Sequence, residues 1–219
     1  MPRREVLLAN GEVYHIFTKS IAGFHILNND FEFSRMIATM CYYQMAKPEI
    51  KFSQFVQSYG IPKADDACFS QKEKLVQIIA YCLMPTHLHF ILKQLQENGI
   101  AIFICNTLNS YSRFFNLKHN RKGPLWESRF KNVLVENNEQ LLHLTRYVHL
   151  NPVTSYLIEK PEDWLASSYP EYVSAGSDKD KICKYDDLLD IEPKTYREFV
   201  LDSVSYQREL SKIKKLLCD

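Results

Sequence analysis

Residues 81–92 read YCLMPTHLHFIL, and their alternation decides how the rest of the chain is read. In extended backbone successive side chains point to opposite faces, so His87 and His89 share one face while Leu88, Phe90 and Leu92 share the other. One face is apolar and suits a core. The other presents two imidazoles about 7 Å apart along the strand. Residues 76–83 have the composition of a partner strand, and Met84-Pro85-Thr86 supplies a tight connection, where a proline fits better than in a central strand. The stretch is therefore a β-hairpin. Imidazole is a common ligand of divalent metals, and two on one strand form half a site in advance. A chain with seven histidines also meets His-x-His by chance, so an ordinary half-exposed strand is the competing reading.

Working outward, residues 13–19, VYHIFTK, have strand composition and follow an Asn10-Gly11 turn signal. Residues 31–45 place Phe33, Met36, Ile37, Met40 and Tyr43 at helical spacing, with Asn29 or Asp30 as cap. Residues 47–72, with two prolines and a glycine, read as a connecting segment containing a short helix. A long helix is predicted over 97–119, its apolar side formed by Ile100, Phe103, Ile104, Leu108, Tyr111, Phe114 and Phe115, and ended by the NRKGP of 120–124. Residues 126–135 read as a fourth strand. A further helix over 137–150 is capped by Asn137, with Gln140 three residues on, and stopped by Asn151-Pro152. The order strand, helix, strand, strand, helix, strand, helix predicts an α+β fold, one antiparallel sheet with helices packed on one face. Residues 1–170 form the predicted domain, 171–193 a linker, and 194–219 a charged amphipathic C-terminal helix.

Composition narrows the class. At 46% hydrophobic and 24% charged residues the chain has the make-up of a globular protein. No segment reaches 18 uninterrupted apolar residues, and the apolar run at 6–9 is too short for a signal-peptide core, so a cytoplasmic protein without a membrane span is expected. Cys41, Cys68, Cys82, Cys105, Cys183 and Cys218 form no Cys-x-x-Cys pair, which argues against a zinc knuckle and for free, mostly buried thiols. The net charge of +1 gives no support to nucleic-acid binding by itself. Its distribution does: between 111 and 131 stand Arg113, Lys118, Arg121, Lys122, Arg129 and Lys131 against Glu127 alone. Arg113, Arg121, Lys122, Arg129 and Lys131, with Trp126 to stack a base, are candidate DNA contacts. A solvated loop is the alternative.

Within the helix over 137–150, His143, Tyr147 and Asn151 stand at i, i+4 and i+8 and share a face. Tyr147 offers an oxygen nucleophile, which a nearby cation or base would activate, and Asn151 offers a carbonyl oxygen as third metal ligand. Tyr-x-x-x-Asn before proline is also ordinary helix-end chemistry. His149 lies two residues from Tyr147, so a helix turns it about 200° away and it is set aside. His143 reads as a general acid, a DNA contact or a structural residue. Tyr111 is the rival nucleophile, but Leu108, Phe114 and Phe115 place it in the core.

Several of these stretches together resemble a known family. Met84-Pro85-Thr86-His87-Leu88-His89 resembles the His-hydrophobic-His signature of the single-tyrosine HUH transposases. The YVHLNPV of 147–153 resembles the tyrosine helix of their REP-associated, IS200-like branch. The YSRFFN of 111–116, the GPLWESRF of 123–130 and the WLASSY of 164–169 look like that branch as well, and the similarity spans residues 11–170. The resemblance implies a ferredoxin-like (split βαβ) HUH domain that cuts and joins single-stranded DNA beside hairpins. It implies a Mg²⁺ or Mn²⁺ ion held by His87, His89 and Asn151, and attack by Tyr147 to give a 5′-phosphotyrosine and a free 3′-OH. Family members occur as homodimers and as monomers. Thr86 stands where an asparagine is common, read as a turn variation without chemical consequence. The 47–72 segment is longer than a minimal member needs, and 175–219 has no family counterpart. The reading from another class is a catalytically inactive, domesticated binder of structured single-stranded DNA or RNA, using Arg113, Arg121, Lys122, Arg129 and Trp126.

Overall fold

β1 (Val13–Lys19) sends Tyr14, Ile16 and Thr18 to one side, where all three are buried, and His15, Phe17 and Lys19 to the other, where none is. That two-faced strand is central to a computed structural model describing residues 7–61, 73–174 and 181–209. β2 (Val76–Leu83), β3 (His87–Gln94) and β4 (Lys131–Leu134) complete one antiparallel sheet in the order β2-β3-β1-β4. The helices are α1 (Asp30–Tyr43), α2 (Phe52–Tyr59), α3 (Gly99–Lys118), α4 (Asn138–Thr154), α5 (Tyr169–Val173) and α6 (Pro193–Leu201). With α2 set aside as an insertion, β1-α1-β2-β3-α3-β4 is the split βαβ arrangement expected of the α+β class.

The sheet is covered on both faces, not one. Phe90 packs edge-on against Phe103 of α3, whereas its neighbour His89 meets Tyr147 of α4 edge-on. Adjacent strand residues face opposite ways, so α3 and α4 lie on opposite sides of the sheet. β2 explains why: Ile78, Ile79, Ala80, Tyr81, Cys82 and Leu83 are all buried, and a strand that is apolar on both faces needs cover on both.

The helix starts follow the caps. The Asn29 side chain accepts from Glu32 N–H at 3.1 Å, and Asn137 accepts from Gln140 N–H at 2.8 Å. Two boundaries differ from expectation. α4 runs through Pro152 to Thr154 instead of stopping at Asn151. Proline removes one backbone donor close to the helix end, and the burial of Pro152 and Val153 holds the last turn. β4 begins only at Lys131, because the Trp126 indole donates to Ser112 Oγ at 2.9 Å and draws the preceding chain toward α3. Trp126 keeps an isolated bridge to Ser20, Glu127 N–H donates to Lys19 O, and 128–130 lie between the two pairings.

The stretch expected as a linker, 171–193, contributes to the main core where it is described: Tyr172, Cys183, Tyr185 and Leu189 are buried there. Its neighbourhood also closes the β2 edge. Leu83 N–H donates to Ala166 O, Ser168 N–H to Tyr81 O, and Lys184 N–H to Ile78 O. Where one C-terminal helix is expected over 194–219, α6 covers Pro193–Leu201, a turn follows at 202–203, and helical backbone resumes over 204–209; residues beyond 209 lie outside the described ones, as do 62–72 and 175–180. Cys82 and Cys183 are buried free thiols, Cys105 is an exposed one and Cys41 is buried, while Cys68 and Cys218 fall outside the description. No helix among the described residues is long and apolar enough to cross a membrane.

Candidate active site

β3 carries His87 and His89 on the face that α4 covers, their ring centroids 5.1 Å apart. Tyr147, 38% exposed, stands edge-on to His89 at 5.9 Å between centroids. One helical turn on, Asn151 is buried, its side chain acts on the His87 imidazole, and its Nδ2 donates to the Tyr147 carbonyl at 3.3 Å. The helix face read from spacing and the strand face read from alternation thus meet.

The imidazoles are held from behind. His87 Nδ1 lies 3.0 Å from Thr86 Oγ1, and His89 Nδ1 lies 3.0 Å from Nε2 of His15 on β1. With both Nδ1 atoms engaged, Nε2 is the ring nitrogen each can offer an ion. Burial, then the nearby Lys19 ammonium, pushes His87 down to about 4, against the opposing influence of the Asn151 side chain. Burial, His87, His15 and Lys19 hold His89 well below its ordinary value, and burial takes His15 to about 4. All three rings are therefore neutral near pH 7, the state in which imidazole ligates.

Among the described residues no group of three or more His, Cys, Asp or Glu side chains could hold a metal ion. The donor set is two imidazoles and an amide oxygen, all uncharged. Such a set fits a divalent cation that keeps its full charge and takes its remaining oxygens from phosphate and water.

His15, Lys19 and Thr86 belong to this site and were missed in the sequence. Lys19 pairs with His87 in register across β1 and β3, and His15 pairs with Ile91. Alternation within VYHIFTK puts His15, Phe17 and Lys19 on one face, but which strand neighbours β1 is not written locally. Thr86, which reads as a silent turn variation in the sequence, contacts a histidine of the pair.

Other candidates have structural partners. His143 Nδ1 lies 2.8 Å from Arg146 Nη2, and its ring packs on Phe199. His149 is fully buried between Tyr196 Oη at 2.7 Å and Ser168 Oγ at 2.8 Å, with burial taking it to about 3. Tyr111 is buried, and its hydroxyl donates to Ile26 O at 2.6 Å.

The proposed DNA contacts do not assemble as one patch. Lys131 is exposed opposite Phe17, on the histidine face of the sheet. Lys122 and Arg129 are exposed on the loop after α3. Arg121 braces that loop, donating to Asn116 Oδ1 at 3.1 Å and Pro124 O at 2.8 Å with its guanidinium 5.4 Å from the Phe24 ring. Trp126 is pinned to α3. Arg113 lines a groove between α1, α2 and α3, across the sheet from Tyr147.

This geometry can be set beside known proteins. Residues 67–151 match the family model "Transposase IS200 like". The match contains His87, His89, Tyr147 and Asn151. A Haemophilus influenzae protein provisionally described as a REP-associated tyrosine transposase is 29% identical over 110 residues, 45% of this chain and 62% of that protein. The aligned part thus spans less than two thirds of the relative's length. A structure of a REP-associated tyrosine transposase bound to a REP hairpin superposes with a TM-score of 0.54, covering 88% of this chain and 99% of that one. At 14% identity this likeness establishes a shared fold.

Proposed function

We propose that this chain is a transposase-type transesterase that cleaves and rejoins single-stranded DNA next to hairpins. The observation carrying the proposal is the meeting of Tyr147 with His87, His89 and Asn151 on one side of the sheet, within the stretch that matches the IS200-like model. The hairpin as substrate is carried over from the relatives' descriptions.

The scissile phosphate lies against the His87–His89 face, beside Tyr147. Bound by His87, His89 and Asn151, a Mg²⁺ or Mn²⁺ ion would polarise the phosphate and offset charge developing on its non-bridging oxygens. Lys19, whose ammonium already acts on both imidazoles, adds positive charge at the same edge. Tyr147 Oη attacks phosphorus in line and loses its proton to water at its exposed position. The bond to the 3′ oxygen breaks, its electron pair leaves on that oxygen, and protonation gives a free 3′-OH. The 5′ phosphate stays esterified to Tyr147. A second strand's 3′-OH attacks that ester, reverses the exchange and joins ends without a nucleotide cofactor. The inactive-binder alternative loses ground because Arg121 and Trp126, two of its contacts, are engaged within the protein.

The test uses a panel of hairpin-forming single-stranded oligonucleotides, incubated with Mn²⁺ and resolved under denaturing conditions. Wild type is expected to form an SDS-resistant adduct whose peptide contains Tyr147, and Tyr147→Phe to form none. An equal yield of adduct from Tyr147→Phe would remove Tyr147 as nucleophile.

A further inference from the structure

On the far side of the sheet, α1, α2 and α3 enclose an open groove of about 800 Å³ that the chemistry above does not use. Arg35 of α1 lies in its wall, 9% exposed. Its guanidinium stands 4.3 Å from the centroid of Phe52 on α2 and 5.2 Å from that of Phe114 on α3. The guanidinium thus packs against two aromatic rings, which attract its charge without using up its N–H donors. Among the described residues no carboxylate pairs with it, although a desolvated cation is costly to hold without an anionic partner. Burial, the largest influence on its pKa, moves it down. The lining also includes Arg113 and Lys51 against one carboxylate, Glu49.

We propose that this groove is a second nucleic-acid contact, in which Arg35 and Arg113 bind phosphodiester oxygens of a strand. Guanidinium edges match phosphate oxygens in pairs, and the half-buried Phe114 ring on the groove wall offers a surface on which a base can stack. The groove depends on α2, which lies in the 47–72 insertion and is anchored by Phe52 packing with Tyr42 and Met45. Its place across the sheet from Tyr147 means that it holds nucleic acid away from the reacting phosphate. The site therefore stands apart from the transesterification proposal.

The experiment titrates the full chain with 5′-fluorescein-labelled dT12 in EDTA, following anisotropy from 50 to 300 mM NaCl, so that no strand cleavage enters. Arg113→Gln and Arg35→Met are each expected to weaken binding several-fold. Each is also expected to lower the slope of log K against log salt by about 0.7, the value for one phosphate contact on a single strand. Arg35→Lys should retain most of the slope. A dT12 carrying 4-thiothymidine should crosslink to peptides of α1, α2 or α3. Arg113 is exposed, so its variant tests the site even if Arg35→Met fails to fold. Unchanged affinity and slope in Arg113→Gln and in every folded Arg35 variant, or crosslinks confined to other elements, would overturn the proposal.

Discussion

His15 Nε2 stands 3.0 Å from His89 Nδ1, and that contact determines which nitrogen His89 can present. If His89 is a ligand, its Nδ1–H donates to His15, and losing the acceptor frees the ring to turn or to change tautomer. His15→Ala is expected to lower Mn²⁺ affinity 10- to 100-fold by the usual magnitude for such supporting contacts, while His15→Gln, whose amide oxygen can accept, keeps most of it. Titration of Mn²⁺ followed by electron paramagnetic resonance checks this; wild-type affinity in His15→Ala would show that the contact supports nothing. His87, His89, Tyr147 and Asn151 were legible in the sequence because strand and helix periods are local properties of the chain. His15 and Lys19 were not, because only the pairing of β1 with β3, some 70 residues apart in sequence, brings them to the site.

At the scale of elements, α1 is tied to α3 by a carboxylate with no exposed side-chain surface. Glu32 accepts from Lys118 Nζ at 2.8 Å, His119 Nε2 at 2.7 Å, and Asn28 N–H at 2.9 Å. Burial alone would raise its pKa, but these bonds hold it at about 2. Because the folded value lies below the unfolded one, the contribution is complete above about pH 5 and is lost as pH falls through about 2. Glu32→Gln should cost ~2 kcal/mol at neutral pH and flatten the acid limb of the stability curve. Urea melts at pH 7, 4 and 3 measure both, and parallel wild-type and variant curves would contradict the assignment. The helix caps were readable because Asn29 and Asn137 act on residues three positions away. The short β4 was not, since a tertiary bond from Trp126 to Ser112, rather than strand composition, sets where pairing resumes.

For the whole molecule, the C-terminal part is the brace of the helix that carries Tyr147. The Tyr196 hydroxyl meets His149 at 2.7 Å and Thr145 at 2.9 Å, both on α4, while Arg146 sits 4.1 Å from the Phe199 ring. Tyr172 stacks on Tyr185 at 4.0 Å within the same cluster. Tyr196→Phe is expected to destabilise the protein by about 1–2 kcal/mol through two lost buried hydrogen bonds, read as a lowered melting midpoint. An unchanged midpoint would mean that α4 is positioned by the sheet alone. The polar composition around Tyr172 and Tyr185 reads as a linker; their burial depends on α4 and β2, distant in sequence. The central claim is that a phenol from α4 and two imidazoles from β3 converge on one cation, and it can be measured without any DNA. In protein labelled at tyrosine and histidine rings, substoichiometric Mn²⁺ should broaden the resonances of Tyr147, His87 and His89 first. The joint replacement His87→Ala and His89→Ala should abolish the broadening at Tyr147. Broadening that spares Tyr147, or that persists there in the double variant, would contradict a shared site.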